Sequence, residues 1–241
     1  MCGRYVSTST VEELVGEYGV DAVCPEAPLP ARWNVAPTQP VYVVAAQRDP
    51  EPLRRLEVMR WGLVPPWAQR RAGGAPLINA RAETVSAKPA FRSALRRRRC
   101  IVPADSYWEW QAGTGQAGTG RAGTGRVRQP FAIRRRGGGT LAFAGLWEPW
   151  SDPASPERVS ASVTIVTTAA NRTLAEVHER MPVVLDAPGV DRWLDPGTLD
   201  PDLLAPLLVP APDEGWELWP VATRVNSVAN DGPDLLDAPA G

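Results

Sequence analysis

The chain is poor in the residues that build metal centres and disulfide frameworks. Its 241 residues include one histidine, His178, and three cysteines, Cys2, Cys24 and Cys100. Three cysteines cannot all pair within one chain and no CxxC spacing occurs, so neither a disulfide scaffold nor a zinc site is expected, and no cofactor is implied. No apolar run approaches the roughly 18 residues that a spanning helix needs. The opening MCGRYVSTST also lacks the layout of a secretory signal, so no membrane association and a cytoplasmic location are expected. Lys88 is the only lysine, and a net charge of -1 gives no global pull toward polyanions. Apolar residues at 44% and charged residues at 22% are ordinary soluble usage, which excludes a disordered class.

The charge that is present is unevenly placed. Residues 81–136 hold the arginine runs 96–99 and 134–136 against only Glu83, Asp105 and Glu109, whereas acids dominate from Asp191 onward. A basic central face beside an acidic segment fits an anionic ligand, although such runs are as often plain solvated surface. Residues 111–125 read QAGTG, QAGTG, RAGTG. A Gly- and Ala-rich repeat has nothing to bury, and a flexible loop at about 111–126 within a single domain spanning 1–241 is expected, with Arg121 and Arg126 riding on it.

The periodicities predict many strands and few helices. Strands are expected at 3–6, 41–46, 56–61, 100–111, 131–135, 140–146, 162–168 and 217–221. Helices are expected at 10–18, with Thr10 and Glu13 as a capping box, and at 173–179, 188–194 and 201–208. This is an α+β fold class of curved antiparallel sheets. Within 100–111 the alternation puts Trp108 and Trp110 on one face and Glu109 alone on the other.

Chemistry points first to Cys2. Removal of Met1 leaves a cysteine with a free α-amine, so nitrogen and sulfur nucleophiles share one residue. Their reference pKa values, about 7.7–8.0 and about 8.5, leave a minority of each reactive near neutrality. With an aldehyde, the amine gives an imine and the sulfur closes a five-membered thiazolidine. MCG also opens glutamine amidotransferases of the N-terminal-nucleophile type, so an amidohydrolase or self-processing peptidase is a rival reading. A noncovalent single-stranded DNA-binding module is another.

Six ordered strings weigh against those rivals: RWNVAPTQ (32–39), RWGLVPPW (60–67), INARAET (78–84), RRCIVPADSYWEW (98–110), VHERMPVVL (177–185) and VATRVNSVANDGPDLL (221–236). Together they make residues 2–236 resemble the SRAP (SOS-response-associated peptidase) family. The resemblance implies a barrel-like core of curved antiparallel sheets with a few peripheral helices. It also implies a protein that senses and shields abasic sites in single-stranded DNA through a thiazolidine crosslink, with lyase-type and self-processing activities beside it. Cys2 matches the family nucleophile, Asn79 the residue that orients the reacting sugar and amine, Glu109 the acid/base group and His178 an aid to sugar ring opening. Arg4, Arg81 and Arg180 match phosphate contacts, Pro37 and Trp67 match apolar groups that meet the bases, and Asn34 supports the site. Lys88, in the same basic stretch, joins the DNA-binding candidates. Replication-fork proteins are candidate partners, and a monomer is expected. Two departures are Ser106, where the family often has glycine, and the QAGTG insertion, which puts DNA access over that edge in doubt.

Overall fold

The computed structural model describes residues 2–48, 52–69, 75–111 and 128–239. The pentapeptide repeat beyond Gln111, with Arg121 and Arg126, lies outside the described residues. The N-terminal half holds strands β1 (Arg4–Ser7), β2 (Ala22–Val23), β3 (Arg32–Val35), β4 (Pro40–Arg48), β5 (Pro52–Trp61), β6 (Asn79–Arg81) and β7 (Arg99–Ala104). Helices α1 (Val11–Tyr18) and α2 (Pro89–Arg97) lie among them. Strands β8 (Ser106–Gln111), β9 (Gln129–Arg135), β10 (Leu141–Asp152), β11 (Ser155–Ala169), β12 (Arg180–Pro182), β13 (Val184–Leu185) and β14 (Trp216–Pro220) follow, with helices α3 (Ala187–Leu194) and α4 (Pro201–Leu204).

Two sheets organise these elements. The smaller runs β14-β9-β8-β1-β3 and is antiparallel throughout. In the larger, β5, β4, β7, β10 and β11 pair in turn, and β11 returns to β5 through Ser162 opposite Arg60. That closes a five-strand barrel and removes the open edges that an unclosed sheet would expose. The fold is therefore α+β, built on curved and mostly antiparallel sheets. Among the described residues, only β2, β6 and the β11–β5 contact are parallel pairings.

Period-two alternation sorts the side chains. Val41, Val43, Cys100, Val102, Phe143, Val163 and Ile165 on one face join Cys2, Tyr5, Tyr107 and Ile133 of the smaller sheet in one core. Tyr42, Val44, Ile101, Ala144 and Val166 on the other face pack against Leu14 of α1, Phe91 and Leu95 of α2 and Trp193 of α3. A third cluster, with Val6, Trp108 and Ala132, lies on the outer face of the smaller sheet and is covered by Val221, Val225 and Leu235. At about 25 cal/mol per Å² of apolar surface buried, each fully enclosed ring such as Trp61 or Trp108 contributes on the order of a few kcal/mol.

Local signals explain α1 well. Thr10 Oγ1 accepts from Glu13 N at 3.2 Å, and Glu13 Oε2 accepts from Thr10 N at 2.7 Å. Gly19 then ends the helix at φ +57, a left-handed cap that glycine adopts without strain.

Several expectations are corrected. The single strand expected at 100–111 is two, β7 and β8, belonging to different sheets. Asp105 breaks it, because its carboxylate leaves the ladder to accept from the backbone and hydroxyls of Thr8 and Ser9. Strands β9 and β10 are correspondingly split, β9 pairing with β8 and β10 with β7. Of the helix expected at 173–179 only a 3-10 turn, Leu174–Glu176, forms; the Asn171 side chain accepts from Leu174 N and starts it. The helix expected at 201–208 stops at Leu204 and tightens into a 3-10 turn, Ala205–Leu207. Helix α2 was not expected from the sequence. Its end explains part of the arginine run: buried Arg99 donates to the carbonyls of Leu95 and Arg96 closing α2, and to those of Trp193 and Asp195 closing α3.

Candidate active site

Strand β1 begins beside β8, with Arg4 opposite Trp108, so the residues just before β1 run alongside Glu109. Glu109 is 4% exposed and faces the same side as Tyr107, whereas Trp108 and Trp110 join the cluster on the other side. The strand alternation thus delivers one carboxylate into the interior. Glu109 Oε1 accepts from Trp110 N at 3.3 Å. Cys2 is wholly buried among Tyr5, Tyr107 and their neighbours. Burial above all, and then the Glu109 carboxylate, push its thiol far above the ordinary range. The hydroxyls of Tyr5 and Tyr107 are held neutral in the same way, by burial first and next by the proximity of Cys2.

Asn79 arrives from the larger sheet. Strand β6 lies parallel to β11, with Asn79 opposite Ile165, and Asn79 Nδ2 donates to Cys2 O at 2.9 Å. Its Oδ1 is buried with no protein partner among the described residues, an acceptor left over beside Cys2. Cys2, Asn79 and Glu109, separated by more than a hundred positions in sequence, therefore converge.

His178 follows the 3-10 turn at Leu174–Glu176, and that turn is tied to the end of β8 because Gln111 Nε2 donates to Glu176 O at 2.6 Å. Its Nδ1 accepts from Arg180 N at 3.0 Å, so the neutral ring carries its proton on Nε2. Arg180 opens β12, which pairs with β11 where Thr167 also faces Arg81 of β6. The two arginines therefore share one rim. Arg81 is exposed. Arg180 forms a two-pronged pair with Glu83, NH1 to Oε1 and NH2 to Oε2 at 3.1 Å, and donates to Thr167 O at 2.7 Å. The Arg180 hydrogen bond is the main reason Glu83 is held below the usual carboxylate range, and Arg81 adds to it.

Other sequence candidates sit around this centre in different roles. Arg4 NH1 donates to Asn34 Oδ1 and Val225 O, both at 2.9 Å, NH2 donates to Asn226 O, and the guanidinium lies over the Trp110 ring. Asn34, fully buried, donates to the carbonyls of Val225, Ser227 and Asn230. Both residues pin the C-terminal segment to the smaller sheet. Pro37 occupies a tight turn in which Gln39 N reaches Ala36 O and Thr38 has φ +75. A β-branched residue there is strained, and Thr38 N is held by Trp61 O at 2.8 Å. Trp67 is 60% exposed after the Pro65-Pro66 turn, unlike most of the tryptophans. Lys88 precedes α2 and is exposed. Sequence reasoning missed the Tyr5 and Tyr107 walls, the Gln111 tether and the role of Glu83, although Glu83 stands within INARAET.

A family model described as SOS response associated peptidase (SRAP) matches residues 1–228. Abasic site processing protein YoqW of Bacillus subtilis (strain 168) is 36% identical over 238 residues, covering 99% of this chain and 100% of that protein. Abasic site processing protein YedK of Escherichia coli (strain K12) is 30% identical over 242 residues, covering 98% and 99%. Abasic site processing protein HMCES of Gallus gallus is 31% identical over 203 residues, covering 79% of this chain and 60% of that longer protein. Among solved structures, a protein from Bacteroides thetaiotaomicron matches with a TM-score of 0.79 at 21% identity, covering 99% of this chain and all of that one, a likeness of fold.

Proposed function

The chain belongs to the SOS response associated peptidase family, and on that premise we propose that it processes abasic sites in single-stranded DNA, linking them covalently to Cys2 once Met1 is removed. The observation that carries this reading is the hydrogen bond from Asn79 Nδ2 to Cys2 O, beside which Glu109 is buried close to the Cys2 thiol. Asn79 fixes the cysteine backbone without adding charge, which orients amine and sulfur together.

The amine nitrogen adds to the aldehyde carbon of the opened sugar, and the carbinolamine loses water to give an imine. Sulfur then adds to the imine carbon while its proton passes to nitrogen, so one water leaves overall and the ring closes. Because burial and Glu109 disfavour the thiolate, sulfur enters as a thiol and needs a proton acceptor at closure. Glu109 serves there, and earlier as donor to the departing water. His178, donating from Nε2, assists sugar ring opening, with Arg180 and Arg81 toward the flanking phosphates. The same imine can lose its neighbouring phosphate by β-elimination, so lyase-type nicking competes with ring closure. Self-removal of Met1 by the same cysteine is the peptidase activity this reading accommodates.

Incubation of the processed protein with abasic single-stranded DNA is expected to give a heat-stable adduct carrying the mass of both partners less one water. In Cys2→Ala the amine remains, so nicking persists while the stable adduct is lost. A Cys2→Ala protein that yields as much stable adduct as wild type overturns the reading.

A further inference from the structure

Several of the arginines that make the centre of the sequence basic are consumed by the fold. Arg98 pairs with buried Glu148 at 2.7 Å, Arg99 closes two helices, Arg134 pairs with Glu217 at 2.8 Å and Arg135 lies over the Trp216 ring. Lys88, Arg92 and Arg96 are different. All three are exposed, and none makes an ion pair among the described residues. No acid occurs in residues 85–104.

Their placement is regular. Lys88 is the extended residue at which α2 starts, its carbonyl accepting from Arg92 N, and Arg92 and Arg96 follow four apart within the helix. Side chains four apart on a helix share one face. The opposite face, Phe91, Ala94 and Leu95, is buried. Arg92 and Arg96, with Ser86, Ala87 and Ser93, line an open groove of about 510 Å³. Two fork-shaped cations and two hydroxyl donors in one groove match the oxygens of a phosphodiester. Along the chain the groove follows soon after the rim of the site, because Arg81 leads through the turn Ala82–Thr84 to Lys88.

We propose that this groove along α2 is a second binding site, which takes the sugar-phosphate backbone of the DNA strand running on from the captured lesion. It rests on the function proposed above and extends the grip from the reacting nucleotide to its flank. From Lys88 to Arg96 the helix and its cap span about 12 Å, a length that a short stretch of sugar-phosphate backbone can follow. Contacts of this kind read the backbone and leave base sequence unread.

The test compares wild type with Arg92→Gln/Arg96→Gln and Arg92→Glu/Arg96→Glu, all checked for an unchanged melting temperature. Binding to lesion-free DNA is measured against salt for a trinucleotide and for a long single strand. On the long strand the glutamine pair is expected to flatten the slope of log K against log salt by about 1.4, two contacts at about 0.7 each. The glutamate pair is expected to lose about tenfold or more in affinity. On the trinucleotide either loss is much smaller. A wild-type slope in the glutamine pair, or an equal loss on both lengths, overturns the groove. Because this readout needs no Cys2 chemistry, absence of an adduct from wild type overturns the proposed function instead.

Discussion

Cys2, Asn79 and Glu109 are brought together by two sheets, and at Cys2 and Glu109 almost nothing is left to solvent. Trp67, Arg81, Lys88, Arg92 and Arg96 lie outside that centre, on a turn, at the end of β6 and along one edge of α2, all exposed. In the interior, geometry is fixed by packing and ionisation is set by burial, so a change there alters chemistry. At the rim no packing depends on the side chains, so a change there alters grip. Under the proposed function, the comparison predicts that binding and reaction can be altered separately.

Breaking the interior side of that comparison has the largest expected effect. Glu109→Gln is expected to slow adduct formation by about 100- to 10,000-fold, the usual contribution of a positioned acid/base group. Noncovalent binding to lesion-free DNA, measured in parallel, is not weakened. If rate and binding fall together, the two regions are not separable.

The interior also predicts an alkaline limit to stability. The thiols of Cys2 and Cys100 and the hydroxyls of Tyr5 and Tyr107 are all held neutral by burial, with folded values raised above their ordinary ones. The contribution of the two thiols is complete below the ordinary cysteine value of about 8.5 and is lost as pH rises past it, and that of the two tyrosines is lost only past about 10. Each group, once past its own ordinary value, removes about 1.4 kcal/mol per pH unit. Melting temperature followed by calorimetry is expected to hold to about pH 8 and fall steeply above pH 9, while a flat profile to pH 11 contradicts this burial.

Rim changes are smaller. Trp67→Ala is expected to cost about 1–3 kcal/mol of single-strand affinity through lost stacking, with melting unchanged because the ring is 60% exposed. Glu83→Gln sharpens the comparison most finely, since Glu83 occupies Arg180 in the free protein. Loss of this half-exposed ion pair costs at most about 1 kcal/mol of stability. Freed Arg180 is expected to bind DNA severalfold more tightly, as read by anisotropy, and weaker binding identifies Glu83 as a support for Arg180.

Parts of this were legible in the sequence for physical reasons. The Thr10–Glu13 cap is local chemistry, and the alternation at 108–110 is a period of two, so both survive folding unchanged. The convergence of Cys2, Asn79 and Glu109 was legible only through the ordered motifs, because no local rule links residues so far apart. What stayed hidden depended on tertiary partners. Asp105 breaks a strand because Thr8 and Ser9 are there to receive it, and α2 hides among arginines because only Phe91, Ala94 and Leu95 of its residues are buried. The arginine runs looked uniform, yet Arg99 is an internal cap while Arg96 is outside.

Strand β11 completes the barrel through β5, and the same strand seats β6 beside Ile165 and β12 beside Thr167. Asn79 and Arg180 are therefore hung from the very strand whose release would undo the enclosure. Thermal inactivation and global unfolding should coincide, and the amides of residues 163–167 should exchange only through complete opening of the molecule. Heat would then disable the site only when the whole architecture gives way.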